Sequence, residues 1–181
     1  MMAAMKKQPL IASIFFLLVA TAAAHAQTAD SYTGTLGRSW QRVARLVVAS
    51  AEAMPEANYT FKPSADVRTF GELLGHLADE HYMICAGAKG EKNPKEGTPF
   101  EKISAKADMV KALNESIAYC NAVYSAAKDD AKMLQPSAPN RRDTVYSSLL
   151  LNVTHDSEHY GNLVTYMRMK GIVPPSSQPT R

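Results

Sequence analysis

His155 and His159 lie four residues apart, so on a helix both imidazoles leave the same face, one turn from the other. That spacing lets one helix offer two nitrogens to a single divalent ion. His76 is the natural third ligand, since it sits among Leu73, Leu77 and Glu80 on the inner face of a second helical stretch. Three neutral imidazoles suit Zn, Ni, Fe or Mn, and the donor set alone does not choose between them. An ion held this way with an open position supplies Lewis-acid chemistry, bringing a bound water or thiol to its nucleophilic form at neutral pH. His81 is different. It follows His76 by five residues, about 140° around a helix, and reads as a surface histidine on the flank.

The face that carries His155 and His159 also carries Ser148, Asn152, Asn162 and Tyr166 at alternating spacings of three and four. An inward face this polar is costly unless its groups are satisfied, and a metal or ligand pocket would satisfy them. The run His155-Asp156-Ser157-Glu158-His159 matches the H-x-x-E-H string of inverted zincins. Those sites need a further acidic residue downstream, and no Asp or Glu follows His159, so a protease of that kind is excluded. Glu80 and Glu158 are candidate proton-transfer groups, although solvated structural roles are the plainer reading of each. No catalytic base is assigned.

The elements that must position these residues are four helices separated by Pro- and Gly-bearing connections. The first is expected from about Asp30, as N-cap, to Met54, where Pro55 stops it. Tyr32, Leu36, Trp40, Val43, Val47 and Met54 give it one apolar stripe. The second opens on a capping box, Thr69 with Glu72, and continues to about Ala88, with Leu73, His76, Leu77, Glu80 and Ile84 facing inward. The third, about Ser104 to Lys128, carries the seam Lys106, Val110, Leu113, Ile117, Cys120, Tyr124 and Ala127. The fourth runs from Asp143 or Thr144 to about Lys170, where Gly171, Ile172 and Pro174-Pro175 form a stop. No repeat and no strand-period stretch interrupts them. The fold class is all-α, a four-helix bundle.

Cys85 and Cys120 each lie about 16 residues into their helices, so they reach similar heights only if helices two and three run parallel. The segment Lys89 to Phe100 is long enough to return along the bundle, which makes an up-down-down-up order feasible. Free buried thiols are the expected state of the two cysteines, with a disulfide permitted in an oxidising compartment.

Ahead of the bundle, Lys6 and Lys7 precede an uncharged apolar run from Leu10 to Ala24, and Ala24-His25-Ala26 supplies a small-x-small cleavage pattern. Residues 1–26 therefore read as a signal peptide and 27–181 as the mature domain, periplasmic or secreted. The run is short for a bilayer span, so no membrane span is expected in the mature chain. Without Lys6 and Lys7, Lys+Arg falls from 20 to 18 against 17 Asp+Glu. No basic cluster extends beyond Arg141-Arg142, and nucleic acid is not expected as a partner.

Several stretches together resemble the DinB-like superfamily, also called the YfiT-like metal-dependent hydrolases. They are Met54-Pro55-Glu56, Tyr59 to Pro63, Val67 to His76, His155 to Gly161 and Gly171 to Pro175. The resemblance spans essentially the whole mature chain. It implies an up-down-down-up bundle in which His76, His155 and His159 surround a metal, and it implies that homodimers are common. Members with assigned chemistry include thiol-dependent isomerases and thiol S-transferases. Export is a departure, because cytosolic thiol cosubstrates are less available outside the membrane. The functional expectation is thus a metal-dependent hydrolase or thiol-dependent transferase acting on a small molecule. The alternatives are a non-catalytic periplasmic bundle that binds a metal or small ligand, and a bundle whose histidines only form hydrogen bonds.

Overall fold

Three of the four long helices among the described residues begin at a side-chain cap, Ser31, Thr69 or Thr144, and the fourth begins at Lys106, whose N–H is met by the distant Glu56 carboxylate. The computed structural model describes residues 31–179, so the signal-peptide expectation lies outside the described residues. Helix α1 spans Tyr32–Ala53 and is capped by Ser31, one residue later than Asp30, through a hydrogen bond from Gly34 N–H to the serine hydroxyl. At its far end Lys106 Nζ donates to the carbonyls of Glu52 and Met54 at 2.6 and 2.8 Å, which explains a lysine at the head of an otherwise apolar seam. Helix α2 spans Phe70–Lys89; the Thr69–Glu72 capping box is present, and Gly90 ends the helix at φ +71°.

Helix α3 spans Lys106–Ala126 and α4 spans Val145–Met169. Thr144 caps α4 in a reciprocal pair with Ser147. Gly171, at φ +72°, turns the chain so that Ile172 N–H reaches Met167 O at 2.9 Å. No strand occurs among the described residues, and no described helix is long and apolar enough to cross a membrane.

The helix order is up-down-down-up. The N-terminal half of α1 meets the C-terminal end of α3 where Trp40 stacks on Tyr124, ring centroids 5.2 Å apart. The end of α4 meets the start of α2 where Phe70 and Tyr166 pack at 6.4 Å. Helices α2 and α3 run parallel, and Cys85 and Cys120 lie at one height with Cα atoms 5.5 Å apart, joined by a disulfide. Free thiols were the wrong expectation, because the parallel crossover aligns the two positions within bonding range.

The core falls into two apolar clusters. One gathers Phe70, Leu77, Leu113, Leu163 and Met167; the other gathers Trp40, Val43, Cys85, Cys120 and Leu149. Between them lies a polar layer of His81, Ser116 and Asp156, all at 0% exposure. The expected seam of α3 is buried at Leu113, Cys120 and Tyr124, whereas Val110 and Ile117 are half-buried and Met109, Ala112 and Ser116 are buried beside them.

Candidate metal centre

Helices α2 and α4 bring His76, His155 and His159 together in the groove between them. One nitrogen from each ring can be chosen so that all three lie within 4.8 Å of one another. Ring centroids are 5.1 Å apart for His76–His155, 4.9 Å for His76–His159 and 4.4 Å for His155–His159. His155 Nε2 and His159 Nε2 approach to 3.1 Å. Metal–nitrogen bonds of ~2.0–2.1 Å give ligand edges of roughly 3.3 Å in a tetrahedron and 2.9 Å in an octahedron. The observed separation falls between the two.

The donor set fits a divalent ion chemically as well. Burial holds His76 down to about 4, with the positive charge of Arg68 and then of the other two rings adding to the shift. His155 and His159 are also lowered, each chiefly by burial. All three rings are therefore neutral donors at pH 7. His155 Nδ1 is buried and makes no hydrogen bond to protein, whereas His159 Nδ1 meets the Asn162 amide at 3.3 Å. An Nε2-bound ion requires a proton on His159 Nδ1, so the Asn162 carbonyl oxygen must then face it.

A sign follows for pH. Unfolded, His76 titrates near 6.5, and folded near 4, so the folded protein holds fewer protons between those values. The contribution is complete above about pH 6.5 and is lost as pH falls toward 4. Metal-free protein is expected to lose denaturation midpoint between pH 7 and pH 5, and His76→Gln to lose less. Equal losses in the two proteins would remove His76 as a cause.

His81 does not lie on the flank. Its ring is fully buried, with Nδ1 2.8 Å from Ser116 Oγ and Nε2 3.0 Å from both oxygens of Asp156. The Trp40 indole meets it edge-on at 5.1 Å. Ser116, His81 and Asp156 have the residue types of a nucleophilic triad, but Ser116 Oγ also donates to Leu113 O at 2.9 Å and none of the three meets solvent. No substrate reaches that serine, so the array is a structural brace between α2, α3 and α4. Tyr124 and Asn152 extend the polar packing: Tyr124 donates to Leu149 O at 2.7 Å, and the Asn152 amide nitrogen lies 3.3 Å from Tyr124 Oη.

Two other expectations concern carboxylates. Glu158 is exposed. Glu80 is half-buried, with its carboxyl raised first by burial and then by Asp79. The acidic residue that does reach the histidines is Glu101, in a short 3-10 turn, Phe100–Lys102, on the crossover between α2 and α3. Its Oε1 lies 3.8 Å from His76 Nδ1 and 3.1 Å from Arg68 Nε. Helical periodicity carries no information about such a turn. Gly75, a mid-helix glycine immediately before His76, is the one signal that another backbone comes close.

Glu101, Arg68, His159, Asn162 and Tyr166 line a cleft of about 720 Å³, to which His159 alone of the three rings contributes. Arg68 is fixed from both ends, its guanidinium by Glu101 and its carbonyl by Tyr166 Oη at 2.6 Å. The cleft is mixed in character, with Pro63, Val67 and Leu73 lining it beside the polar groups. It suits a small polar molecule placed against the histidine face.

Comparison with known proteins agrees with this architecture. The profile of the DinB superfamily matches residues 36–163. The chain is similar in fold to the crystal structure of a DinB-like protein from Bacillus cereus, with a TM-score of 0.62 at 14% identity over 77% of this chain and 93% of that one. No curated protein matches the sequence.

Proposed function

The chain belongs to the DinB superfamily, and from that premise we propose that it is an exported metalloprotein in which His76, His155 and His159 hold one divalent ion, Zn, Ni, Fe or Mn. The observation that carries the reading is the convergence of three ring nitrogens, from two separate helices, within 4.8 Å. The reaction class is metal-dependent hydrolysis or thiol-dependent transfer on a small molecule held in the adjoining cleft. A bound ion there would supply Lewis-acid activation of water or thiol near neutral pH.

The chain's own residues divide the remaining work. Asn162 holds His159 through Nδ1, and Arg68 presents a cation at the cleft wall next to His159. The half-buried rings limit water around the donors, which strengthens each polar contact made to them. The Cys85–Cys120 disulfide supports the export part of the proposal, since such bonds persist in oxidising compartments.

The test is metal analysis of protein prepared without a histidine tag, beside His155→Ala and His159→Ala. The wild-type protein is expected to retain about one ion per chain, and each variant to lose most of it, since three ligands are the minimum of a typical catalytic site. Equal metal content in all three samples would end this reading. Loaded protein screened with simple esters and with thiol acceptors then separates an enzyme from a non-catalytic metal- or ligand-binding bundle.

A further inference from the structure

The crossover between α2 and α3 returns a carboxylate to the histidine cluster, and the sequence next to His76 is shaped to receive it. A Cβ built on Gly75 would stand 2.6 Å from Phe100 O and 2.7 Å from the Glu101 backbone nitrogen and Cα. Those are backbone atoms, so any larger residue at position 75 must push the 3-10 turn off α2. Phe100 secures the turn from the other side: it is 6% exposed and stacks on Tyr82, with centroids 5.8 Å apart and planes 15° from parallel. Lys102 and Ile103 N–H close the turn onto Pro99 and Phe100 carbonyls. Glu101 is thus delivered to one place, beside His76 Nδ1 at 3.8 Å and Arg68 Nε at 3.1 Å.

We infer that Glu101 is the positioning carboxylate of His76, admitted to the site by Gly75: it accepts a hydrogen bond from the ring's Nδ1–H and so keeps Nε2 unprotonated as a metal ligand. Metal-bound histidines almost always give their second N–H to such an acceptor, which fixes both tautomer and ring orientation. The observed 3.8 Å lies just beyond a hydrogen bond, and a small movement of an exposed glutamate closes it. Arg68 Nε engages the same oxygen, so Glu101 also offsets a guanidinium charge close to the site of the cation. The inference rests on the metal reading given above.

The experiment compares wild type, Glu101→Gln, Gly75→Ala and the double variant by two measurements. One is the dissociation constant for Zn or Co by competition with a chelator. The other is the imidazole nitrogen NMR spectrum of the metal-free proteins, recorded well above the usual imidazole titration range. Glu101→Gln is expected to weaken the metal by about 10–100-fold and to shift the His76 signals away from the Nδ1–H tautomer, with helix content and denaturation midpoint unchanged. Gly75→Ala should reproduce the metal loss although Glu101 is intact, and the double variant should be no weaker than the worse single one. Unchanged affinity and tautomer in Glu101→Gln would overturn the inference. Additive losses in the double variant would remove Gly75 from it. If wild type itself holds no metal, the metal reading fails; if wild type binds and Glu101→Gln binds equally, only this inference fails.

Discussion

Asp156→Ala is expected to lower folding free energy by about 3–5 kcal/mol, the usual cost of removing one partner from a buried pair. Both oxygens of Asp156 lie 3.0 Å from His81 Nε2, and the aspartate, the ring and Ser116 are all at 0% exposure. Deleting the carboxylate leaves an imidazole N–H facing apolar neighbours, including the Trp40 edge at 5.1 Å, with no water to replace its acceptor. The loss should appear as a lower urea midpoint with an unchanged slope. Changing both members to leucine should recover a substantial part, because neither polar group is then left stranded. A cost below about 1 kcal/mol for the single change would show that the layer is dispensable.

Removing the covalent link is the second large effect. Cys85→Ala with Cys120→Ala should cost about 4 kcal/mol on the loop-entropy estimate for a separation of 35 residues. The sulfurs are fully buried, so the native protein should also resist mild reductant until it opens. Metal affinity should change little in the same variant at temperatures where it remains folded. The link joins α2 to α3, whereas the three rings stand on α2 and α4. A midpoint that does not move, or a metal affinity that falls as far as stability does, would contradict this separation.

The ends that rest on local chemistry were legible: Thr69 with Glu72, Thr144, and Gly171 before Ile172 all act as their residue types require, whereas α3, which starts without a side-chain cap, was drawn about two residues too long at each end. The clustering of His76 with His155 and His159 was also visible, since an i,i+4 pair and one ring on a facing helix need only the period of 3.6. His81 was misplaced for an identifiable reason. Placing it 140° from His76 on the flank assumes one inward direction, but α2 packs against both α3 and α4, and 14 of its 20 residues are buried. A helix enclosed on so wide an arc buries His81 fully while leaving His76 half-buried. Ser116 and Asp156 were missed with it, because a polar layer between two apolar clusters looks like solvent-facing positions when one chain segment is read at a time. Glu101 belongs to a different class: its place depends on where a returning loop lands, which no local pattern records.

The Cys85–Cys120 bond encloses the whole crossover, including the 3-10 turn of Phe100–Lys102, in a covalent ring. A nick anywhere between the two cysteines would therefore release no fragment: the severed halves would travel as a single species until reduced. The segment that carries Glu101 is leashed at both ends, and its excursions from the histidines are bounded by the circumference of that ring.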